Sequence, residues 1–406
     1  MVSDLESIFN RQISSQKKSA IREVLKLTQQ PDIISFAGGL PSPESFPVEE
    51  LKRIVCDLFE SDQAHQALQY GLTEGDIHLR ELLVERYRKQ GLDIGFDNLI
   101  ITTASQQALD LLPKIFINPG DRIICGLPSY LGGISAFSYY GARMEGVGLD
   151  HDGMSASQLE DKLKKMRAFG EKPKFIYTIP DFQNPAGITM SGSRRQEIID
   201  LAKKYDVLIV EDSPYRELRF SGEDEKMIYA LDNSGHVISI GTFSKILAPG
   251  FRIGWVIADT AIIEKIVIAK QTADLCTSPF VQKIAAKYLE TGIFDAHIAS
   301  IIRLYREKRD VMLASLGEYM PAGVSWTEPE GGLFLFLTLP EYVDAEKLFI
   351  EAVREKVAFV PGNVFFCDGC GRNTMRLNFS FPSKEMNTEG VRRLAKAIEK
   401  NLRQQQ

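Results

Sequence analysis

The stretch VISIGTFSKILAPGFRIGWVI, residues 237–257, sets a lysine between two runs of the kind that form buried strands. Residues 237–240 and 253–257 are apolar and β-branched, the composition of strands packed on both faces. Between them, Thr242 and Ser244 flank Lys245, and Arg252 follows beyond a Pro249-Gly250 turn. An uncharged lysine amine forms Schiff bases with carbonyl compounds, and burial near other cations lowers its pKa into a useful range. The planar arginine fork suits phosphate oxygens. One cation of this stretch is thus suited to forming an imine while the other grips a phosphate.

Five more runs of the same character lie upstream, at 99–102, 122–126, 143–147, 175–179 and 207–210, which makes seven predicted strands. Helix-period stretches at 106–116, 157–166 and 194–205 separate several of them. That alternation predicts an α/β fold with a mostly parallel, seven-stranded sheet covered by helices. From about residue 296 the pattern changes to a charged helix at 301–316, a strand at 332–339, a helix at 345–355 and a last helix from 388. The predicted division is an N-terminal helical segment at 1–30, a large domain at 31–295 and a smaller α+β domain at 296–406.

The chain has 406 residues, enough at roughly 150 per domain for two or three domains with a sizeable core. Apolar residues make up 44% and charged residues 25%, the balance of a globular protein rather than a disordered or fibrous one. A net charge of −6 with no Lys/Arg stripe argues against a nucleic-acid surface. Five thinly spread cysteines do not form a secreted disulfide framework. The first thirty residues carry charges and no apolar core of a signal peptide, and no apolar run is long enough to span a bilayer. A cytoplasmic protein acting on small molecules, away from membranes and nucleic acid, is the expectation. Cys367 and Cys370 have C-x-x-C spacing without the second pair that a structural zinc needs, and the five histidines are unclustered, so no metal is predicted.

Open α/β sheets bind ligands beyond the carboxyl ends of their strands. Four polar segments follow predicted strands there: 104–107 (ASQQ), 181–185 (DFQNP), 211–215 (EDSPY) and 242–245 (TFSK). Taken singly, each has an ordinary reading: a helix cap for Ser105 or Asp212, a turn for Asn184-Pro185. Taken together, they could line one pocket.

Residues 242–255, TFSKILAPGFRIGW, resemble the pyridoxal-phosphate (PLP) attachment motif of class I/II aminotransferases of fold type I. Separated segments resemble the same family in the same order: SFAGGLPSPESFP at 35–47, LQYGLTEG at 68–75, GLPSY at 126–130, PDFQNPAGITMS at 180–191, EDSPY at 211–215 and NTMRLNFS at 373–380. The resemblance implies that Lys245 carries PLP covalently and then acts as the general base. It assigns Asp212 to the pyridinium nitrogen, Tyr215 and Asn184 to the ring oxygen and Tyr130 to the ring face. It assigns Ser105, Gln106, Thr242, Ser244 and Arg252 to the cofactor and its phosphate, and Tyr70 to the phosphate of a neighbouring subunit, hence a homodimer with shared sites. Arg376 would clamp the substrate α-carboxylate, with Gly39 and Asn184 beside it. Relatives commonly carry an acidic residue where this chain has Leu127, a departure that touches local packing only.

The run at 19–41, SAIREVLKLTQQPDIISFAGGLP, is similar to the subgroup of 2-aminoadipate and kynurenine-type aminotransferases. There a helix placing Ile21, Val24, Leu25 and Thr28 on one face would cover the substrate, and Arg22 would pair with a distal carboxylate. The implied activity transfers an amino group from an L-amino acid (2-aminoadipate, glutamate, also aromatic or branched-chain) to a 2-oxo acid such as 2-oxoglutarate, with ping-pong kinetics. Two alternatives share these residues. One is another PLP reaction, decarboxylation or elimination. The other is an aminotransferase-like effector domain of a transcription factor, disfavoured because only about thirty residues precede Gly38-Gly39, too few for a DNA-binding domain.

Overall fold

The computed structural model describes residues 6–15 and 32–404, so the expected helix near Ser19 and Arg22 itself lie outside the described residues. A two-residue strand β1 (Ile34–Ser35) is followed by β2 (Leu99–Thr102), β3 (Arg122–Leu127), β4 (Arg143–Asp150), β5 (Gly153–Met154), β6 (Phe175–Thr178), β7 (Leu208–Asp212), β8 (Val237–Thr242) and β9 (Gly254–Ile257). All seven predicted strands form, and they join one sheet in the order β2-β9-β8-β7-β6-β3-β4-β5. The sheet has eight strands rather than seven. Gly153, at φ +100°, lets the chain double back so that β5 pairs antiparallel with the end of β4.

Strands β8, β7, β6, β3 and β4 are parallel neighbours, while β9 runs antiparallel between β2 and β8. That reversal points β2 in the same direction as the parallel set. The carboxyl ends of β2, β3, β6, β7 and β8 therefore open on one edge of the sheet. Every residue of β2, β6, β8 and β9 is buried, because helices cover both faces. Successive residues feed different cores: Cys125, Tyr177, Val210 and Ile238 belong to one, and Ile124, Ile176, Ile209 and Val237 to the other.

The C-terminal part builds β10 (Ser325–Trp326), β11 (Phe334–Thr338), β12 (Val357–Ala358), β13 (Val360–Pro361) and β14 (Thr374–Asn378). Four of these form an antiparallel sheet in the order β10-β11-β14-β13, backed by helices Phe294–Tyr319 and Lys384–Gln404, which pack on each other. The last helix starts at Lys384, ahead of the predicted position 388, and the Met386 N–H donates to Ser383 Oγ as a cap. β1 pairs in parallel with β12, and the Asn378 N–H donates to Phe36 O at 2.9 Å. This pairing lays residues 36–39 alongside β14. Among the described residues no helix is long and apolar enough to cross a membrane.

Candidate active site

A cavity of about 280 Å³ lies where the strand ends meet the second sheet. Four segments at strand ends reach it: Ser105 and Gln106 after β2, Asn184 after β6, Asp212 at the end of β7 with Tyr215 beyond it, and Thr242 at the end of β8 with Ser244 and Lys245 beyond it. Tyr130 enters from the loop after β3, Arg252 from the turn before β9, Gly39 from the segment after β1 and Arg376 from β14.

Lys245 Nζ donates to Gly39 O at 2.8 Å. Burial, reinforced by the Arg376 and Arg252 charges, lowers its pKa to about 8, so a substantial neutral fraction exists near physiological pH. Asp212 is 2% exposed and burial pushes its carboxyl up to about 7, against the opposing hydrogen bond from Tyr177. That bond runs from Tyr177 OH to Asp212 Oδ2 at 2.8 Å, while the buried Oδ1 has no hydrogen-bond partner among the described residues.

Arg376, 1% exposed, donates from Nη1 to Asn184 Oδ1 at 2.9 Å and from Nη2 to Ala37 O at 2.8 Å. Its guanidinium carbon lies 4.2 Å from the centre of the Phe334 ring and 5.1 Å from that of Phe365. Burial lowers its pKa to about 10, and its buried Nε has no hydrogen-bond partner among the described residues. Asn184 Nδ2 in turn donates to Tyr215 OH at 3.2 Å. One amide therefore links the Arg376 end of the cavity to the Tyr215 wall.

The helix Ala104–Phe116 starts at the cavity edge, where its first N–H groups lack intrahelical acceptors and favour an anion. A Cβ at Gly254 would fall 2.6 Å from Ser105 N, so glycine there permits the close approach of β9 to this helix start. The Gln106 side chain is engaged elsewhere: its amide donates to Gly132 O at 3.2 Å and accepts from Tyr130 OH at 3.3 Å. Asp274, absent from the sequence reading, anchors this corner by accepting from Thr103 Oγ1, Gln107 Nε2 and Lys270 Nζ at 2.8, 2.7 and 2.6 Å. Burial works against its charge, yet these donors hold its pKa below the ordinary carboxylate value. Ser244 Oγ lies 2.9 Å from Thr242 Oγ1.

One expected residue does not line the cavity, and another cannot be placed. Tyr70 is 79% exposed, and Arg22 lies outside the described residues. Phe334 and Ile179 line it without having been anticipated, and Tyr177 touches Asp212 from behind. Neither the apolar walls nor Tyr177 leaves a motif in the sequence, since strand residues are read there only as core. Asp150, His151 and Asp152 bring three potential ligand atoms together at the surface, but Asp150 already accepts from Arg194.

The cavity suits a phosphorylated, protonated nitrogen heterocycle bearing a carbonyl. The unpaired Asp212 Oδ1 can take a ring N–H, the helix start with Ser105, Ser244 and Arg252 can take a phosphate, and Lys245 stands available as an amine.

The profile of the family described as "Aminotransferase class I and II" matches residues 32–394. The aromatic-amino-acid aminotransferase 1 of Thermococcus litoralis is 49% identical, over 98% of this chain and 96% of that one. The 2-aminoadipate transaminase of Thermus thermophilus is 40% identical, over 94% of each. The solved kynurenine aminotransferase of Pyrococcus horikoshii, in complex with PMP, superposes with a TM-score of 0.95 at 47% identity, covering 98% of this chain and 99% of that one.

Proposed function

The chain belongs to the class I and II aminotransferases, a PLP-dependent family of fold type I, and on that premise we propose its donors, its acceptor and the work of each site residue. The amino donors are 2-aminoadipate, glutamate and aromatic or branched-chain L-amino acids, and 2-oxoglutarate is the acceptor, in two half-reactions of the ping-pong type. When bound, PLP supplies the carbonyl that takes the amine and the ring that accepts the electron pair released at Cα.

Lys245 holds the cofactor and, once displaced by the donor amine, carries the Cα proton, a task its lowered pKa suits. Asp212 keeps the ring nitrogen protonated, and burial keeps competing water from its carboxyl. Tyr215 and Asn184 address the ring oxygen, and Tyr130 covers the ring. The phosphate is taken by Ser105, Ser244, Arg252 and the N–H groups of the helix start, with Thr242 orienting Ser244 and Gln106 contributing its backbone. Arg376, beside Gly39, receives the donor carboxylate. The observation that carries this reading is the buried, forked cation Arg376 in one cavity with the low-pKa Lys245 and the unpaired Asp212 oxygen.

Among the described residues, Lys245, Arg252 and Arg376 are the cations lining the cavity, and each already has a task. A distal carboxylate would therefore draw on Arg22, whereas an aromatic side chain needs only walls such as Phe334 and Ile179. The high exposure of Tyr70 supports its meeting a second copy in a homodimer. The eight-stranded and four-stranded sheets support the units proposed at 31–295 and 296–406, with β1 crossing to pair with β12. The unpaired cysteines favour a reducing, cytoplasmic setting.

The test is the donor half-reaction of the holoenzyme without any 2-oxo acid, followed by loss of the bound cofactor's visible absorbance. A lead for 2-aminoadipate and glutamate that Arg22→Ala erases supports the dicarboxylate reading. Equal rates for aromatic donors make the enzyme a broad transaminase, and no change with any donor overturns transamination.

A further inference from the structure

Two cysteines from distant parts of the chain meet beside the cavity without belonging to it. Cys125 lies on β3 and is fully buried; Cys367 follows the 3₁₀ turn Gly362–Phe365 and is partly exposed. Separated by 242 residues in sequence, their Sγ atoms are 3.6 Å apart. The two segments are already joined by a hydrogen bond from Ser129 N–H to Phe365 O at 2.7 Å. A third thiol, exposed Cys370, follows the turn at Gly369, whose φ is +78°.

The three thiols have different surroundings. The S–H of Cys125 donates to Cys367 and holds it below the ordinary thiol range, while that contact and burial push Cys125 up. The Asp368 carboxylate pushes Cys370 up, so this exposed thiol keeps its proton. Of the touching pair, Cys367 is the accessible sulfur and the one whose pKa is lowered, and the sulfur beside it is the buried Cys125.

We propose that Cys125 and Cys367 form a redox-reversible disulfide site, closed by a low-molecular-weight disulfide and opened by a thiol. Cys367 gives up its proton to solvent and, as thiolate, attacks one sulfur of the reagent RSSR, forming Cys367–S–S–R and releasing RS⁻, which takes up a proton from solvent. Cys125 then attacks Cys367 Sγ and displaces the second RS⁻, which takes the Cys125 proton. The net change oxidises two cysteine thiols to one disulfide and reduces RSSR to two RSH. A bond of about 2 Å needs the sulfurs to close the remaining gap by side-chain rotation. Once formed, it staples β3, which leads to Tyr130, to the turn whose Phe365 packs against Arg376.

The experiment treats full-length holoenzyme with oxidised glutathione, alkylates the remaining thiols, and maps peptides without reduction. The expected result is a Cys125–Cys367 peptide pair, a fall in free thiols from five to three, reversal by dithiothreitol, and a melting temperature several degrees above the reduced form. Cys370→Ser behaves like the parent, whereas Cys367→Ser shows neither the paired loss of thiols nor the rise in melting temperature. Joining of Cys367 to Cys370, a cross-link between chains, a persisting glutathione adduct on Cys367 or retention of all five thiols would each overturn the proposal.

Discussion

Asp212 and Arg376 are opposite charges buried in the wall of one cavity, and they are put there by different means. Asp212 ends β7, and its partner Tyr177 lies on the adjacent strand β6, paired in register with Val210. Residues two apart on a strand share a face, so this contact is made within one sheet. Arg376 sits within β14 and takes its partners from Asn184, 192 residues away, and Ala37, 339 residues away. Its surroundings exist only once the second sheet and the segment after β1 are docked. The anionic end is therefore an edge property of a rigid sheet, and the cationic end is a property of an assembly.

Lys245 lines the same cavity and should be indispensable whichever end is altered. Lys245→Ala is expected to slow the donor half-reaction by roughly 10³-fold or more, read in single-turnover mixing. A rate within tenfold of the parent would remove Lys245 as the proton carrier.

Arg376→Lys keeps the charge and loses the fork. It should lower donor kcat/KM by about 10²-fold, mainly through KM, and also lower the melting temperature, since Asn184 Oδ1 and Ala37 O share this one side chain. An unchanged donor KM in steady-state kinetics would break the contrast between the ends.

Asp212→Asn tests the anionic end by pH in cofactor-free protein. The folded carboxyl keeps its proton up to about pH 7, whereas its ordinary value is 3.8. Between those values the folded chain binds the proton that the unfolded chain has lost, so this group's contribution makes stability fall as pH rises. The variant lacks that fall and should gain on the parent from pH 4 to 7, by on the order of a few kcal/mol at most. Parallel denaturation curves across that range would show that Asp212 ionises freely.

The smallest effect is expected for Tyr177→Phe, which deletes one hydrogen bond to Asp212 and nothing at the Arg376 end. At about 1 kcal/mol for such a bond, cofactor affinity should weaken roughly fivefold in an equilibrium titration while donor KM holds. A larger change in donor KM than in cofactor affinity would show the two ends to be coupled.

Much of the candidate site was legible because chemistry-bearing residues lie in the segments that follow strands and match the family's motifs in order. Asp212 ends its strand, and Ser105, Lys245 and Asn184 lie a few residues beyond theirs, on the one edge where the carboxyl ends open. Gln106 was legible as a position, but its amide is taken up by Tyr130 and Gly132, a competition that requires the loop after β3 to be in place. Tyr177 and Asp274 were not legible at all. One is an apolar-looking strand residue whose neighbour depends on register, and the other follows helix Thr260–Gln271 and acts on the start of another helix. The eighth strand escaped because a two-residue pair leaves no periodicity to read.

Beyond the tasks that the family resemblance implied for Asp212 and Arg376, local pattern by itself determined the alternation of strands and helices, the sheet edge on which the cavity opens, and the lysine and arginine of the 242–255 stretch as cations suited to chemistry. These follow from short-range periodicity and from residue chemistry, which do not need the rest of the chain. The tertiary structure alone decided which carboxylate oxygen is left unpaired, which carbonyls hold Arg376, how far burial moves Lys245 and Asp212, and which two cysteines touch. Each depends on desolvation and on contacts between segments tens to hundreds of residues apart; the Tyr177 contact to Asp212 forms when one sheet closes its register, and the others come into being only when the second sheet docks.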